Sequence, residues 1–346
     1  DYYGAKDATD IIVLMGSGAE TVEETVDFLN AKGAKTGLLK VRLYRPFAID
    51  KFVEAIPASV KNITVLDRVK ECGSAGEPLY LDVVAALAEK NRKANVVCGR
   101  YGLGSKEFNP SMVNAIFENM KAKAPKTHFT VGIVDDVTGT SLEIKEKIDA
   151  APAGAISCKF YGLGSDGTVG SNKNSIKIIG DHTEKYAQAY FAYDSKKSGG
   201  ITVSHLRFGA KPIKSAYLID QADFVACHNP AYVVKYDMVS DLKDGGTFLL
   251  NSPWTAEEMD EKLPASMKRM IAKKNIKFYN VDAIKVVKAI GLGNRISTAM
   301  QSCFFKLANV IPYEEAVGYM KQFVVNFFSR KGQAVVDENF AAIDNA

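Results

Sequence analysis

The chain has 346 residues, of which 47% are hydrophobic and 24% charged, and its formal net charge at pH 7 is +4. This composition is typical of a globular protein with one to three domains, and the small charge argues against nucleic acid or an anionic membrane as a partner. No apolar run reaches the roughly 18 to 20 residues of a membrane-spanning helix and no apolar leader opens the chain, so we expect a cytoplasmic protein.

The five cysteines are odd in number and form no Cys-x-x-Cys pair. This pattern argues against a disulfide framework and against a recognisable zinc or iron–sulfur motif. The four histidines are spread along the chain without ligand spacing, and no Ser/His/Asp set can be assembled from their order. We therefore assign no metal ligand and no catalytic residue. Because Asp1 is not a start methionine, we expect the chain to be a piece of a longer protein.

The first third of the chain alternates between predicted strands and helices. The buried strand Ile11–Met15 ends at Gly16-Ser17-Gly18, and a helix follows for which Thr21 is the predicted N-cap. The next predicted elements are strand Thr36–Leu43, helix Ile49–Ile56, strand Ile63–Leu66, helix Leu79–Lys90, strand Asn95–Cys98 and a helix that begins at Asn109-Pro110. Such alternation predicts a doubly wound α/β domain.

The turn Gly16-Ser17-Gly18 invites a comparison with the dinucleotide-binding fingerprint. Thr21 stands at the third glycine position, and the second strand ends in the basic run Lys40-Val41-Arg42 where an NAD site needs an acidic residue. A basic strand end could suit the 2′-phosphate of NADP, but the missing glycine spoils the close helix packing. We interpret the turn as structural.

A charged, alanine-rich stretch, Lys121–Lys126, indicates a domain boundary, which we place after residue 122. The β-prone run that follows ends in two carboxylates, Asp135 and Asp136. Such a pair could bind a metal or act as an acid and a base, but acidic residues of a solvated loop are commoner. We leave them unassigned.

A glycine-rich loop then follows a β-prone run, Ala155–Phe160. The loop, Tyr161–Gly170, precedes a helical pattern. Glycines let a ligand approach the backbone, and a helix N-terminus offers unpaired N–H groups to an anion. The segment predicts either a binding site for a phosphate-bearing ligand or a tight turn that only connects strand to helix.

Two further stretches could contact an anion. Lys196 and Lys197 occupy the turn between the predicted strands Tyr186–Asp194 and Ile201–Phe208, where they would either bind phosphates or face solvent. Asn294 and Arg295 lie in a second glycine turn, before a helix over residues 296–310. The intervening α/β pattern has three more predicted strands, Asp223–Cys227, Gly246–Leu250 and Ile276–Asn280.

Several long motifs, in the same order, resemble those of one enzyme family. They are Lys40–Phe47, Tyr101–Lys106, Gly162–Gly170, Asn172–Ser175, Gly180–Thr183 and Tyr193–Gly200. On these residues the chain resembles the pyruvate:ferredoxin (or flavodoxin) oxidoreductases over essentially its whole length. The resemblance implies an internal fragment of two consecutive three-layer α/β domains. Residues 1–122 would form a transketolase C-terminal-like open sheet, and residues 123–346 a γ-type domain that binds coenzyme A.

The resemblance also implies a reaction. The intact enzyme decarboxylates pyruvate on thiamine diphosphate with Mg, passes electrons through 4Fe-4S clusters to ferredoxin or flavodoxin, and transfers the acetyl group to coenzyme A. The expected partners are the remaining domains of the same enzyme and, for the intact enzyme, a second copy in a homodimer. This chain lacks cluster cysteines, and Asn172 follows Asp166-Gly167 too early for the thiamine diphosphate motif. Those cofactors would belong to other segments.

What the resemblance leaves to this chain is the docking of coenzyme A. The implied contact residues are Gly162, Gly164, Ser165, Asp166, Gly167, Lys196, Lys197, Asn294 and Arg295. Two alternatives remain open: a structural or assembly module without a ligand of its own, and a free-standing enzyme with a nicotinamide cofactor, which Thr21 and Lys40 oppose.

Overall fold

A computed structural model describes residues 1–135, 137–194 and 199–346 of the chain. They form two compact units. The first comprises Asp1–Ala151 together with the short segment Lys214–Leu218, and the second comprises Pro152–Ile213 and Ile219–Ala346. The first unit is therefore discontinuous in sequence.

The first unit is built on a six-stranded sheet. Its elements in chain order are β1 (Tyr2–Gly4), β2 (Asp10–Leu14), α1 (Gly18–Ala31), β3 (Thr36–Lys40), α2 (Ile49–Glu54), β4 (Asn62–Asp67), α3 (Pro78–Glu89), β5 (Asn95–Tyr101), α4 (Pro110–Lys121) and β6 (Phe129–Val131). The strand order is β1-β3-β2-β4-β5-β6. Only β1 runs antiparallel to its neighbour, so the predicted open parallel sheet is confirmed.

Both faces of this sheet are covered, because its central strands are apolar on both sides. Alternate residues of β2 divide between two cores: Ile12 and Leu14 pack with α1 and α4, whereas Ile11 and Val13 pack with α2 and α3. One face of α4 is buried through Val113, Ile116, Phe117 and Met120. Asn109 caps that helix by accepting a hydrogen bond from the Met112 N–H at 3.1 Å. The result is the expected three-layer domain.

The helix after the first glycine turn begins earlier than predicted. Since α1 begins at Gly18, Thr21 lies inside its first turn, fully buried, and is not the N-cap. The side chain of Lys40 forms an ion pair with Glu23 within the protein. A Cβ on Gly18 would meet the Tyr101 hydroxyl at 2.7 Å, so this glycine serves the packing of the turn. These contacts agree with the structural interpretation.

The first unit also extends past residue 122, where the sequence placed the boundary. The reason is that β6 pairs in parallel with β5 and completes the sheet edge, which keeps the chain in the first unit to Ala151. Asp135 holds the loop after β6, accepting hydrogen bonds from the Val137 and Thr138 N–H groups. Asp136 lies outside the described residues.

The second unit is built on another six-stranded sheet. Its elements are β7 (Ile156–Leu163), α5 (Thr168–His182), β8 (Tyr186–Tyr193), β9 (Ile201–Gly209), β10 (Ala222–Cys227), β11 (Leu242–Asn251), α6 (Ala256–Lys262), α7 (Ala265–Lys273), β12 (Lys277–Val281), α8 (Ala283–Ala289), α9 (Ser297–Ala308), α10 (Tyr313–Phe328) and α11 (Gln333–Asp344). The order is β12-β11-β10-β7-β9-β8. Strands β7, β10, β11 and β12 are parallel, whereas β8 and β9 form an antiparallel hairpin on β7.

This sheet also separates two cores. Phe160 and Phe224 pack against Phe304 of α9, with ring centroids 5.1 and 5.4 Å away. On the opposite face, Phe248 packs among apolar residues that include Met267 of α7. Of the helices that the described residues form, none has the length and apolar character to cross a membrane.

Candidate functional site

The glycine-rich loop lies where β7 ends and α5 begins. Strand β7 is flanked by β10, which is parallel, and β9, which is antiparallel, so the loop emerges at the carboxyl end of the parallel strands. Ligands of open α/β sheets commonly bind at this edge. The structure thus confirms the predicted succession of strand, glycine loop and helix.

Asp166 binds the loop's own backbone. Its Oδ2 accepts a hydrogen bond from the Leu163 N–H and its Oδ1 one from the Thr168 N–H, both at 2.8 Å. The Asp166 N–H in turn donates to the Leu163 carbonyl at 3.0 Å. The carboxylate therefore fixes the loop against the first residue of α5, and it does so with the oxygens that a ligand-binding role would have used.

Two of the glycines are required by close packing. A Cβ on Gly162 would lie 2.6 Å from the Thr168 hydroxyl oxygen, and one on Gly167 would lie 2.9 Å from the Ser297 hydroxyl oxygen. Gly167 also has φ +90°, a conformation that favours glycine. Ser165 adopts φ +74° in the same loop. The loop is therefore tightly determined by its neighbours.

A buried histidine holds the first residue of α5. The Thr168 hydroxyl and Nδ1 of the His228 ring are hydrogen-bonded at 2.7 Å. The backbone N–H of His228 donates a hydrogen bond to the Tyr161 carbonyl at 2.9 Å. Burial lowers the pKa of His228 to about 4, against an opposing effect of the Asp166 carboxylate. The imidazole is thus neutral at neutral pH. Within the described ranges its Nε2 is buried without a hydrogen-bond partner.

The glycine turn that precedes α9 lies beside the glycine-rich loop that precedes α5. Asn294 and Arg295 are exposed in the turn before α9, and α9 begins with Ser297, the residue that contacts Gly167. The N-termini of α5 and α9 therefore converge at the glycine loop. The first N–H groups of any α-helix lack an intrahelical acceptor, so two sets of such donors lie side by side here.

A cavity of 310 Å³ opens beside these two helix ends. One side is formed by Gly167, Gly170 and the start of α9, and the other by apolar residues of α10. The α10 wall consists of Met320, Phe323, Val324, Phe327 and Phe328. Gly170 has no atom within 4 Å of the position of a Cβ, so at this point the lining is open. The cavity combines helix N-termini with an aromatic wall.

Lys196 and Lys197 lie outside the described residues, so their predicted role is not examined by the structure. Just after these residues, the Gly200 carbonyl accepts a hydrogen bond from the Gly164 N–H at 2.8 Å. A Cβ on Gly164 would approach the same carbonyl at 3.2 Å. The hairpin of β8 and β9 is therefore anchored on the glycine loop.

Sequence reasoning missed the parts of this site that come from distant elements. His228 follows β10, and the aromatic wall comes from α10. The sequence signal for His228 is weak: a histidine beside Asn229 at the end of a strand is typically a structural hydrogen bonder. For α10, the spacing of Phe323 and Phe327 is equally typical of a core face.

The cysteines do not assemble an iron–sulfur site. All five are free thiols, and Cys98, Cys158 and Cys227 are buried. Among the described residues, the single group of three or more metal-ligating side chains contains only one of them, Cys98. The donor set needed for a 4Fe-4S cluster, four thiolates, is therefore not formed.

Two family models match most of the chain. One, described as pyruvate ferredoxin/flavodoxin oxidoreductase, matches residues 157–346. The other, described as pyruvate:ferredoxin oxidoreductase core domain II, matches residues 8–113. The match over residues 8–113 lies in the first unit, and the match over residues 157–346 covers the second unit together with Lys214–Leu218 of the first.

Individual proteins are also similar. A pyruvate:ferredoxin oxidoreductase of Moorella thermoacetica is 63% identical over 346 residues, which are 100% of this chain and 30% of that protein. A pyruvate-flavodoxin oxidoreductase of Enterobacter agglomerans is 56% identical, again over 100% of this chain and 30% of the relative. Among solved structures, the pyruvate oxidoreductase subunit PORC of Thermotoga maritima covers 56% of this chain and 94% of its own, at 17% identity and a TM-score of 0.45. The chain thus spans about 30% of the length of the relatives that match it throughout.

Proposed function

Because the chain belongs to the pyruvate ferredoxin/flavodoxin oxidoreductase family, we propose that it is part of an enzyme that oxidatively decarboxylates pyruvate and transfers the acetyl group to coenzyme A. The remaining domains, an electron acceptor of the ferredoxin or flavodoxin type and a homodimeric assembly complete the proposed enzyme. The share of this chain in the reaction is the docking of coenzyme A at the glycine loop of the second unit.

One observation carries this proposal, namely the convergence of the N-termini of α5 and α9 beside an aromatic wall. Coenzyme A carries a pyrophosphate, a 3′-phosphate, an adenine ring, and the methyl groups and methylenes of its pantetheine arm. Helix N-termini attract phosphates through unpaired N–H groups and the helix dipole. The wall that includes Phe323 and Phe327 offers apolar surface at the same cavity. Both chemical characters of the ligand are matched in one place.

The residues then divide by role. Asp166 and His228 hold the loop in place through Thr168, as their hydrogen bonds indicate. Gly170 leaves room for the ligand. Arg295, and in the proposal Lys196 and Lys197, contribute positive charge toward the phosphates.

The iron–sulfur clusters and thiamine diphosphate do not fit the residues of this chain. The described cysteines form no cluster site, and the carboxylate of Asp166, which a thiamine diphosphate motif would direct at Mg²⁺, accepts hydrogen bonds from the Leu163 and Thr168 N–H groups. In the proposal, decarboxylation and electron transfer belong to the other segments of the enzyme.

Calorimetric titration of the 346-residue chain with coenzyme A tests the docking site. We expect saturable binding that weakens with dephospho-coenzyme A, because the 3′-phosphate contact is lost, and weakens again in a Lys196→Ala/Lys197→Ala variant. No binding at millimolar ligand would contradict a site that this chain holds unaided.

Gly170→Leu provides a sharper test with a matched control. The new side chain would project toward the open cavity lining, so we expect coenzyme A binding to fall at least tenfold while the fold is kept. Gly180 lies on the same helix, is exposed and equally lacks neighbours around a Cβ, but does not line the cavity. Gly180→Leu should therefore bind like the unchanged chain. Equal affinities of the two variants would place the ligand elsewhere.

A structural module without a ligand is the second candidate. It is favoured by the packing that already explains Gly162 and Gly167, and by the inward hydrogen bonds of Asp166. Absence of coenzyme A binding together with a stable fold is the outcome that this alternative predicts.

A further inference from the structure

In the first unit, three side chains that have no part in the proposed function lie close together. Glu77 directly precedes α3, Cys98 lies in β5 and His128 directly precedes β6. Because Gly99 pairs with Phe129, the parallel register places Cys98 and His128 side by side. The Cys98 Sγ is 3.2 Å from the His128 Nδ1, and a carboxylate oxygen of Glu77 lies within 4.8 Å of ligand atoms of both.

The carboxylate of Glu77 is incompletely satisfied. The residue is 2% exposed, and its Oε2 is buried without a hydrogen-bond partner among the described residues. Its Oε1 accepts a hydrogen bond from the Arg100 Nη1 at 3.0 Å. A buried carboxylate oxygen without a partner is costly, so natural proteins usually supply a donor or a cation.

Outer contacts hold the three groups in position. The same Arg100 donates through Nη2 to the His128 carbonyl at 2.8 Å, and the Tyr80 ring packs edge-on against the imidazole. The Thr127 hydroxyl accepts from the Cys98 N–H at 3.3 Å and lies 3.7 Å from Sγ. Hydrogen bonds of this kind orient the ligands of metal sites. Arg100 adds one positive charge that opposes a bound cation, but it occupies only one of the two carboxylate oxygens.

We propose that Glu77, Cys98 and His128 form a binding site for a divalent transition-metal ion, with Zn²⁺ as the best match. Sulfur, imidazole and carboxylate ligands suit Zn²⁺, whereas Mg²⁺ and Ca²⁺ prefer oxygen alone. The ion binds the thiolate, the thiol proton passes to solvent, and the two negative ligands balance its charge. Water fills the fourth position. The bound ion would join the start of α3 to the β5–β6 edge of the sheet.

The ligands are separated in sequence, which explains why spacing did not reveal them. Glu77, Cys98 and His128 belong to three different segments, and only the pairing of β5 with β6 brings two of them together. The proposal does not depend on coenzyme A docking, because all three residues lie in the first unit.

Cobalt substitution tests the site. The full 346-residue chain, freed of metal with a chelator, is titrated with Co²⁺. We expect one equivalent to give thiolate-to-cobalt charge-transfer absorption and the visible bands of a tetrahedral ion, and Zn²⁺ to displace it. Cys98→Ser should abolish the charge-transfer absorption, while Cys72→Ser, which removes an exposed thiol close in sequence, should leave it unchanged.

A second variant keeps the test decisive if Cys98→Ser does not fold. His128 has φ +52°, and asparagine tolerates this conformation better than most residues, so His128→Asn removes the imidazole with little change of backbone. We expect its affinity for Zn²⁺, measured in competition with a chromophoric chelator, to fall at least tenfold. Absence of the charge-transfer absorption in the unchanged chain, its loss in Cys72→Ser, or unaltered Zn²⁺ affinity of a folded His128→Asn variant would each overturn the proposal.

Discussion

His205 and His228, two histidines of the second unit, are buried in their neutral form. Each is 4% exposed. Burial lowers the pKa of His205 to about 3, with the positive charges of Lys159 and Arg207 acting in the same direction. The Ile219 N–H donates to the His205 Nδ1 at 3.1 Å, so the neutral ring serves as an acceptor. Both histidines are therefore packing residues whose protonation the fold opposes.

These pKa values predict a loss of stability in mild acid. An unfolded histidine takes up a proton below about pH 6.5, whereas the folded ones remain neutral to about pH 3 and 4. The unfolded state therefore binds more protons in this window, and each histidine lowers the free energy of unfolding by about 1.4 kcal/mol per pH unit as the pH falls.

Urea unfolding at several pH values between about 4.5 and 7 measures this slope. In His205→Asn the amide oxygen can replace Nδ1 as acceptor but the group no longer titrates. We expect the dependence of the free energy of unfolding on pH to become weaker, by an amount that corresponds to the uptake of about one proton fewer on unfolding. A slope equal to that of the unchanged chain would show that His205 is not the group responsible.

At the scale of elements, the junction of the glycine loop with α5 and α9 distinguishes two glycines. Gly167 has φ +90° and lies against Ser297, whereas Gly170 is inside α5 with open space around it. The first glycine is required by conformation and contact. The second contributes the backbone freedom of glycine and no packing.

Alanine substitutions at these positions should therefore have opposite effects. Gly167→Ala would strain the backbone and push Ser297 aside, and we expect it to lower the free energy of unfolding by about 1–3 kcal/mol. Gly170→Ala should raise it by about 0.4–1 kcal/mol, because alanine fits the helical backbone of Gly170 and leaves the unfolded chain less conformational freedom than glycine does. Denaturant unfolding of both variants measures the difference, and a common sign would contradict the assigned roles.

The elements themselves were largely predictable, whereas the site was predictable only in part. Apolar runs and glycine punctuation gave β2, β7 and the helix after the glycine loop, because local periodicity encodes them. Thr21 was wrong as an N-cap, since tertiary packing extends α1 back to Gly18. The contact of His228 with Thr168 joins residues 60 positions apart, and no local pattern carries that information.

At the scale of the whole molecule, the first unit depends on a segment from far along the chain. Within that unit, Glu24 of α1 accepts hydrogen bonds from the Ser215 hydroxyl at 2.8 Å and the Tyr217 hydroxyl at 2.6 Å. Lys214 forms an ion pair with the neighbouring Glu23. Both glutamates are buried, so these contacts stabilise their charges, in addition to the ion pair of Glu23 with Lys40.

Residues 1–151 alone should therefore be markedly less stable than the same unit in the full chain. A hydrogen bond to a charged group typically contributes about 1.5–3 kcal/mol, and residues 1–151 alone lack the two that Ser215 and Tyr217 donate to Glu24. Glu24→Gln should partly rescue the truncated chain by removing the charge, and should destabilise the full chain. Thermal unfolding of the four proteins tests this reversal of sign. An equal effect of Glu24→Gln in both backgrounds would contradict it.

The discontinuous first unit also constrains the order of events during synthesis. A ribosome that adds about 5–20 residues per second needs roughly 3 to 13 seconds to go from Ala151 to Leu218. During that interval the nascent first sheet already has all six strands, but the contacts of Glu23 with Lys214 and of Glu24 with Ser215 and Tyr217 are not yet formed. The last contacts of the first unit can therefore form only after translation has passed through β7, α5, β8 and β9.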